Sequence, residues 1–508
     1  MEIDKPNALE KPTMVMPLAA SYNPRGVTGY TNTVTNALDQ RKINSIYEPL
    51  KNATTDKATL YLTKRPGVVN SGSTFGTTGQ VAYLASLGAG LFAKTAASVW
   101  VFNVASDVVR ASNSAGTNTS IVTEAGLLPA YVSKTPVGGT DTIVLQCVSA
   151  ATPDQRVFYS STIGTWNEIT DSDFPASTLA GKMEFGWGFA LAMGQTGAGE
   201  SAIFNSNINS LSAWSGSNYL TKQIQQDIPR GLAKLGDKVI AFGNETAEIF
   251  VNRGNEFGSP LGTIPELASN VGIIDQVVSG YTHYYATIGN TLYFVGRSGQ
   301  SGAGLYMFDG QKFEKVSKGP IDKILAEAME SNLLFSVNAV IWGGKEAVAI
   351  QTTATSAATQ RFLMFFPAWN DWFEWNSTIF TPVNSGRWHL GVGSNQHKLY
   401  NLPLATDNWQ DDSTNYAWTH QFQMPKTGNN RNFMSMLQLI GDTSRSAQSI
   451  AVEFSDDDGQ TWSTARNIDM TTLQKMITRC GSYYNRQVRL SYTGSLEVRL
   501  EAFGARLK

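Results

Sequence analysis

A pair formed by an apolar residue and a following aromatic or large apolar residue recurs seven times along the chain, each time within a short β-prone run. The second members of successive pairs are 58, 46, 46, 56, 57 and 37 residues apart. Repeats of about 40–50 residues are typical of propeller blades, which are four-stranded antiparallel sheets packed on their neighbours. The pairs are Val99-Trp100, Val157-Phe158, Ile203-Phe204, Ile249-Phe250, Leu305-Tyr306, Phe362-Leu363 and Leu399-Tyr400.

The composition also favours many short strands joined by turns. Of the 508 residues, 16% are charged, which is below the roughly 25% of an average soluble domain. The chain also has 46 Gly and 12 Trp, a balance that argues against disorder, a coiled coil and a helix-rich surface. A formal net charge of -2 excludes a protein that holds nucleic acid through bulk positive charge.

Local turn chemistry indicates hairpins inside the repeats. Asp309-Gly310 follows the run that ends at Phe308, and this dipeptide suits the positive φ angles of a type I′ turn before Phe313. We therefore predict an all-β chain that forms a β-propeller of six to eight blades, with seven favoured and with β-rich segments at both ends. The uneven spacing leaves open a β-sandwich or several separate β domains.

Two segments have helical rather than strand periodicity, so we expect one or two short helices. The first follows Gly319-Pro320, a helix start signal, and would bridge two blades. Its apolar residues are Ile321, Ile324, Leu325, Ala328 and Met329; the second segment has Met470, Leu473, Met476 and Ile477.

The chain divides into three regions by pattern. We predict a turn-rich N-terminal flank at residues 1–79, the propeller at residues 80–426 and a C-terminal β-rich segment at residues 427–508. Such flanks can close a propeller or serve for docking and contacts between subunits. The boundaries are placed at Gly79 and Lys426. An N-terminus with several charges and no apolar core predicts no ordinary secretory signal, and the sequence indicates no membrane anchor.

Signatures of catalysis, metal binding and cofactor binding are missing from the sequence, so we predict a protein that is not an enzyme and needs no cofactor or metal. Cys147 and Cys480 are far apart in the sequence and predict two buried free thiols. The four histidines lack metal-ligand spacing and are interpreted as surface or turn residues. They are His283, His389, His397 and His420.

One motif near the C-terminus predicts a structural turn. Residues 455–462 read Ser-Asp-Asp-Asp-Gly-Gln-Thr-Trp, which matches the S-x-D-x-G-x-T-W pattern of Asp-box hairpins. Asp457 can accept hydrogen bonds from turn amides, Gly459 can adopt positive φ, and Trp462 can anchor the returning strand. Ser455 and Thr461 complete the motif, and the set is interpreted as structural rather than catalytic.

The order of motifs resembles the packaged-DNA stabilization proteins of short-tailed bacteriophages, which are tail hub or nozzle proteins. Each motif is short, so the resemblance depends on their order. Four stretches carry it: Asn44 to Glu48 with Leu60-Tyr61 and Lys64 to Gly67; Asp237 to Gly243 with Thr246 to Phe250 and Gly254; Gly272-Ile273, Asn290 to Phe294, Leu305 to Gly310 and Val316-Ser317; and Ser455 to Trp462 with the later Arg-rich strands.

The resemblance implies a mechanical function in the virion tail, after assembly in the host cytoplasm. Six copies would form a hexamer that continues the channel of the portal, docked to the portal-associated adaptor protein above and to tail needle, tip or fibre proteins below. Packaged double-stranded DNA would be retained and then conducted during ejection without tight binding. A nearly neutral chain suits such a conduit, because many Lys or Arg contacts to phosphate would trap the DNA.

Two alternatives are kept. The chain could be a glycan- or receptor-binding tail module, in which exposed aromatic residues such as Trp369, Trp372 and Trp375 stack on sugar rings. The Asp-box motif also suggests a propeller glycosidase, which would require arginines and a nucleophile system to converge on one propeller face.

Overall fold

The computed structural model describes most of the chain as two compact units, each made of discontinuous segments. Unit 1 contains residues 1–67, 364–376 and 405–508, and unit 2 contains residues 68–363 and 377–404. The predicted boundaries at Gly79 and Lys426 fall outside the described residues and stay predictions. The described residues are 14–17, 41–49, 60–74, 80–86, 99–113, 118–149, 155–162, 164–255, 258–274, 284–299, 302–331, 336–352, 359–382, 387–392, 398–403, 408–424, 431–444 and 446–507.

Unit 2 consists of seven successive antiparallel groups of strands, which are called blades 1 to 7. Their order along the chain is that of a β-propeller, as predicted. The strands of blades 1 to 4 are, for blade 1, Gln80–Ser86, Val99–Ala105, Val108–Asn113 and Asn118–Thr123; for blade 2, Leu127–Val137, Thr140–Ser149, Arg156–Thr162 and Thr165–Glu168; for blade 3, Glu184–Gly186, Phe189–Gln195, Ser201–Ser206 and Trp214–Thr221; and for blade 4, Pro229–Leu235, Lys238–Gly243, Ala247–Asn252 and Leu261–Thr263.

Blades 5 to 7 continue the series, and the last one uses a strand from the other end of the unit. Val69–Thr74 pairs with Lys398–Asn401, so a segment more than 300 residues earlier completes blade 7. The strands are, for blade 5, Val271–Ile273, Tyr285–Ile288, Thr291–Ser298, Gly302–Phe308 and Phe313–Lys315; for blade 6, Ser336–Trp342, Lys345–Gln351 and the start of Gln360–Phe366; and for blade 7, Phe380–Pro382, Trp388–Gly391, Lys398–Asn401 and Val69–Thr74.

The seven recurrent sequence pairs fall one in each blade. In blades 2, 3, 4, 6 and 7 the pair lies in the third strand of the blade. In blade 5 it lies in the fourth strand, Gly302–Phe308, and in blade 1 it lies in the second strand, Val99–Ala105. In most pairs the two residues are buried, as Ile249 and Phe250 are. Because neighbouring strand residues point to opposite faces of a sheet, such a pair places one buried side chain on each face. The repeat therefore marks a strand that is covered on both sides.

One of the two predicted helices is present. The helix Gly319–Glu330 follows blade 5, with Pro320 in its first turn and with Ile321, Leu325 and Ala328 buried. The prediction of a second helix is wrong, because Met476–Thr478 is a strand paired with residues 436–438 and Leu473 is 89% exposed. Within the described residues, no helix is long and apolar enough to cross a membrane.

The turn before that strand explains why the apolar spacing there does not form a helix. The Asp469 carboxylate accepts hydrogen bonds from the backbone N–H and the hydroxyl of Thr471, at 2.8 and 2.7 Å. Such a side chain to backbone contact competes with helix formation and favours a turn. The strand ladder then fixes the residues that follow.

Unit 1 is built from two sheets. One sheet contains Ser45–Pro49, Leu60–Lys64, Arg499–Leu507, Asn432–Gly441 and Met476–Thr478, joined by Met14–Pro17 and Ser482–Tyr483. The other contains Asp371–Ser377, Lys42–Ile43, Ala417–Gln423, Gln487–Thr493, Ser449–Ser455 and Arg466–Asp469. Phe422 of one sheet stacks on Phe503 of the other, with ring centroids 4.2 Å apart. The two sheets thus share a buried apolar layer.

Replacing Phe422 by Ala tests this layer. Both Phe422 and Phe503 are buried, so the substitution leaves a cavity between the sheets, and we expect a loss of about 3–5 kcal/mol in the unfolding free energy of unit 1. Chemical denaturation followed by tryptophan fluorescence measures it. Tyr484→Ala, at a residue that is 60% exposed, is the control and should change stability by less than about 0.5 kcal/mol. Equal effects of the two variants would contradict the assignment.

Candidate functional site

A buried network of charged residues lies in unit 1, in the sequence stretch that opens the family resemblance. Arg65 is fully buried, and its guanidinium makes a two-pronged contact with Asp411, at 2.9 and 2.6 Å. Its three other N–H groups donate to the side-chain oxygen of Asn44 and to the carbonyls of Pro66 and Asn376, at 3.0, 3.0 and 3.2 Å. All five guanidinium N–H groups therefore have acceptors, as a buried Arg requires.

Asn44 connects several segments of this network through its side chain. Its φ of 54° places it in the left-handed region, which Asn tolerates better than most residues, between the strands Lys42–Ile43 and Ser45–Pro49. The Asn44 side-chain oxygen accepts from Arg65 and from the backbone N–H of Asn376, and its amide donates to the carbonyl of Ala417 at 2.7 Å. One short side chain thereby connects three segments of unit 1.

A second buried ion pair lies in the same unit. The Lys42 ammonium contacts the Asp371 carboxylate at 2.5 Å and the Tyr47 hydroxyl at 2.7 Å, while Tyr47 donates to Asp371 at 2.7 Å. Lys42 and Asp371 are 2% and 3% exposed. Water is largely excluded, so each charge depends on the other for compensation. The N-terminal strands are thus held to strands more than 300 residues later.

Lys64 differs from these two cations because its hydrogen bonds go to backbone carbonyls. Its ammonium contacts the carbonyl oxygens of Trp409 and Gly494, at 2.6 and 2.5 Å, and lies 4.0 Å from the ring centre of Tyr416. Burial, followed by the charge of Arg65, lowers the pKa of Lys64 to about 7. A neutral amine retains two N–H donors, which matches these two carbonyls.

Side chains from blades 2 to 5 of unit 2 meet in a buried cluster around Tyr284. Tyr284, at the start of the blade 5 strand, donates to the carbonyl of Leu232 in blade 4 at 2.7 Å and accepts from the backbone N–H of Lys182, just before blade 3, at 2.9 Å. Its ring meets Tyr131 of blade 2 edge-to-face, with centroids 5.8 Å apart. Four successive blades therefore meet around one tyrosine, which is 3% exposed.

A second tyrosine, Tyr285, belongs to the same buried cluster. Tyr285 donates to the Glu184 carboxylate and accepts from the Lys182 ammonium at 3.2 Å, and Lys182 lies 3.3 Å from Glu184. Burial, followed by the charge of Glu184, raises the pKa of Tyr285 well above its usual value. A Cβ at Gly231 would lie 2.5 Å from the Tyr284 hydroxyl, so the backbone of blade 4 approaches too closely for a side chain.

Thr246 and Glu248, in the second stretch of the resemblance, have structural roles in blade 4. Glu248 is 1% exposed, and its carboxylate accepts from the backbone N–H groups of residues 223, 224 and 225 at 2.9–3.1 Å. Asp227 accepts from Thr246, at 3.0 Å from its backbone N–H and 3.1 Å from its hydroxyl, and it pairs with Lys222. These contacts fasten the connection between blades 3 and 4 onto blade 4.

The Asp-box residues form the turn that the motif predicts. The Asp457 carboxylate accepts from the hydroxyl of Ser455 at 2.8 Å and from the backbone N–H and hydroxyl of Thr461 at 2.9 and 2.5 Å. These hydrogen bonds, led by that of the Thr461 hydroxyl, lower the pKa of Asp457 to about 2. Gly459 has a φ of 83°, and its carbonyl accepts from the Trp462 indole at 3.1 Å. The polar side-chain groups of Ser455, Asp457, Thr461 and Trp462 are thus hydrogen-bonded within the turn.

The hairpin at Asp309 and Gly310 has a different loop from the predicted one. Phe308 pairs with Phe313, so the loop has four residues, and of the predicted pair only Gly310 has positive φ. The type I′ assignment is therefore wrong. The Asp309 carboxylate accepts from the backbone N–H groups of Gln311 and Lys312 at 2.8 and 2.9 Å, which favours the longer turn.

The prediction that the histidines are surface or turn residues is wrong for two of them. His389 and His420 are buried in strands, at 0% and 2% exposure, rather than on the surface or in turns, because each continues the buried face of its strand beside Phe380 or Phe422. His283 and His397 lie outside the described residues. Both cysteines are buried free thiols, as predicted, and burial raises the pKa of Cys147 and of Cys480.

The described residues contain no group of three or more His, Cys, Asp or Glu side chains that could hold a metal ion. The Trp372 and Trp375 rings, which the glycan-binding alternative places on the surface, are 7% and 1% exposed. Trp369 is half-buried, with its ring centroid 5.4 Å from that of Tyr47. The sequence analysis missed several residues of the unit 1 charge network and of the unit 2 tyrosine cluster. They are Lys42, Asp371, Asp411, Tyr284 and Glu184. The sequence carried no signal for them, because their partners are distant along the chain.

Comparison with known proteins identifies one stretch of unit 2. Residues 187–349 match a family model of phage stabilization proteins, described as the β-propeller of bacteriophage P22 Gp10. This stretch runs from the first hairpin of blade 3 into blade 6, and over it the predicted resemblance is confirmed. A search of curated proteins finds no match.

The solved structures that match this chain are distant from it in sequence and have low TM-scores. An exo-β-1,3-galactanase from Phanerochaete chrysosporium is 6% identical, with a TM-score of 0.27, over 94% of this chain and 99% of that one. The WD40 domain of coronin from Toxoplasma gondii is 10% identical, with a TM-score of 0.34, over 74% of this chain and 95% of that one.

Replacing Asp411 by Ala tests the buried network. The Arg65 charge would remain in the interior without a counter-charge, so we expect the unfolding free energy of unit 1 to fall by about 3–5 kcal/mol. Chemical denaturation monitors the change. The matched control is Glu314→Ala, which removes the solvent-exposed contact with Lys312 and should cost less than about 1 kcal/mol. A small effect of Asp411→Ala would contradict the network.

Acid stability gives a second test, at His420. Burial, followed by the nearby charge of Lys42, lowers the pKa of His420 from 6.5 to about 3. Between these values the unfolded chain binds a proton that the folded chain does not, so stability falls as the pH is lowered through this window. Denaturation midpoints measured from pH 7 to pH 4 should therefore fall less steeply in His420→Leu than in the parent protein. Parallel pH profiles would contradict this assignment.

Proposed function

We propose that this protein is a structural component of the tail of a short-tailed bacteriophage. In this proposal, six copies form a nozzle or hub that continues the portal-adaptor channel, retains the packaged DNA and conducts it during ejection. The match of residues 187–349 to the P22 Gp10 β-propeller family is the observation that carries the proposal. The chain would then be part of the virion and would have no catalytic role.

The buried tyrosine contacts between blades 2 to 5 of unit 2 support a conduit built between copies rather than through one propeller. Tyr284 hydrogen-bonds to blade 4 and to the segment before blade 3, and its ring contacts blade 2. A double helix could pass there only if these buried contacts were broken. We therefore place the DNA channel on an axis shared by the copies.

Charge supports the passage of DNA without its capture. With 39 Lys and Arg against 41 Asp and Glu, the chain has no large excess of positive charge. Several of its cations are also used internally, as Arg65, Lys42 and Lys222 are in buried ion pairs. Because each phosphate contact strengthens DNA binding, a conduit works best with few exposed cations facing the DNA.

The terminal regions are proposed as docking segments. Residues 1–79 and 427–508 would supply inter-subunit contacts and contacts with the adaptor above and with needle, tip or fibre proteins below. The unit 1 network supports this assignment, because Arg65–Asp411 and Lys42–Asp371 hold the N-terminal strands rigidly against later parts of unit 1. A rigid platform loses little conformational entropy when it binds a partner.

Assembly tests the proposal directly. Purified chain mixed with portal-adaptor particles of a short-tailed phage should yield a ring of six copies, with a mass six times the 55.1 kDa of one chain added per particle. Mass photometry and electron microscopy measure the stoichiometry and show the channel. Adaptor-free portal particles are the control. A chain that stays monomeric with the adaptor, or a lumen lined by clustered Lys and Arg, would contradict the proposal.

A further inference from the structure

One face of unit 2 carries a cleft formed by hairpin turns of blades 2, 3 and 4. It consists of two adjoining cavities of about 130 and 410 Å³ that share Val137 and residues 209–211 as lining. Together they fall within the roughly 300–1,000 Å³ that is usual for small-molecule sites. The turns of successive blades lie side by side here, so the cleft is part of the propeller scaffold.

The smaller cavity contains a tryptophan in an unusual backbone conformation. Gly186 pairs with Phe189, so Trp187 and Gly188 form a two-residue hairpin turn in which both have positive φ, 55° and 85°. Such turns favour Asn-Gly, and a bulky residue at positive φ is strained. A strained residue in a cavity points to a role for its side chain beyond the turn.

The environment of Trp187 keeps its ring at the cleft. The half-buried ring packs against the hydrophobic cluster formed by blades 3 and 4. The ammonium of Lys234, from blade 4, lies 6.0 Å from the ring centre and donates to the carbonyl of Phe185 at 2.9 Å. Trp187 is therefore an aromatic ring supported by the cluster, with one cation over it at 6.0 Å from the ring centre.

The larger cavity is lined mainly by hydroxyl and amide groups. Thr140, Thr142, Tyr159, Thr165 and Asn167 contribute to its wall. Among the described residues that line the two cavities, Lys234 is the one charged side chain. This composition does not suit a metal ion, which requires carboxylate or imidazole ligands, or nucleic acid, which requires several cations.

We propose that this cleft binds a saccharide of the bacterial cell surface. In this assignment one sugar ring stacks on Trp187, beside Lys234, and the next ring hydrogen-bonds to the hydroxyl-lined cavity. An aromatic face next to hydroxyl and amide groups matches the apolar face and polar rim of a sugar. The choice of bacterial surface saccharides rests on the proposed tail function, whereas the site itself lies on a single copy, so its binding can be tested apart from assembly.

Glycan binding by the full-length chain tests the proposal. A printed array of bacterial surface polysaccharide fragments should identify a bound oligosaccharide, and calorimetric titration with that oligosaccharide should give a Kd below about 1 mM, equivalent to a binding free energy of about -4 kcal/mol. Failure to bind any bacterial glycan would overturn the proposal, and the assembly experiment with portal-adaptor particles would still be interpretable.

The key variant is Trp187→Asn. Asn tolerates positive φ, so this substitution keeps the turn and removes the aromatic ring. We expect a loss of affinity of at least tenfold in a chain that remains folded, because relief of the positive-φ strain opposes the lost packing of the ring. Thr165→Val, which removes one exposed hydroxyl from the larger cavity, should weaken binding at least threefold.

The matched control is Trp369→Phe, at a half-buried tryptophan of unit 1 that does not line the cleft. It should bind the oligosaccharide as the parent does. Unchanged affinity in both Trp187→Asn and Thr165→Val would overturn the assignment of the cleft, and so would equal losses in Trp187→Asn and Trp369→Phe.

Discussion

The contact between Arg65 and Asp411 is the constraint on which unit 1 depends. A buried guanidinium requires an acceptor for each of its N–H groups, and here the acceptors come from Asn44, Pro66, Asn376 and Asp411. Asn44, Asn376 and Asp411 lie 21, 311 and 346 positions from Arg65 along the chain. The network therefore fixes which strands meet. Its contribution is specificity more than net stability, because removing two charges from water offsets much of their attraction.

Unit 2 solves a similar problem with tyrosine instead of charge. The first strands of neighbouring blades approach one another closely at the centre, and Tyr284 satisfies a backbone carbonyl of blade 4 and a backbone N–H group before blade 3. Its ring meanwhile fills the space beside Tyr131. A hydroxyl on an apolar ring suits such a position, because it completes hydrogen bonds without bringing a charge into the interior. Blades 2 to 5 are thereby joined through one buried tyrosine.

The charge distribution connects these interiors with the proposed conduit. The chain uses Arg65, Lys42 and Lys222 inside the fold, where their charges are neutralised by Asp411, Asp371 and Asp227. Cations employed in this way cannot contact DNA phosphates. The cleft at Trp187 also exposes few charges, because Lys234 is the one charged side chain among the described residues that line it. Both proposed functions thus rely on surfaces with few charges, one to let DNA pass and one to accept a neutral polar ligand.

The blades could be predicted from the sequence because alternation and turn chemistry act over a few residues. The seven pairs mark seven blades, and Asp457 and Gly459 define their turn locally. Local signals were insufficient where tertiary contacts compete, so the stripe at Leu473 became a turn and a strand, and Asp309 gave a four-residue loop. Long-range folding fixes which groups contact Arg65, Lys42 and Tyr284, and it forms the cleft at Trp187. Those features join residues tens to hundreds of positions apart, and their pairing depends on burial, which no local pattern specifies.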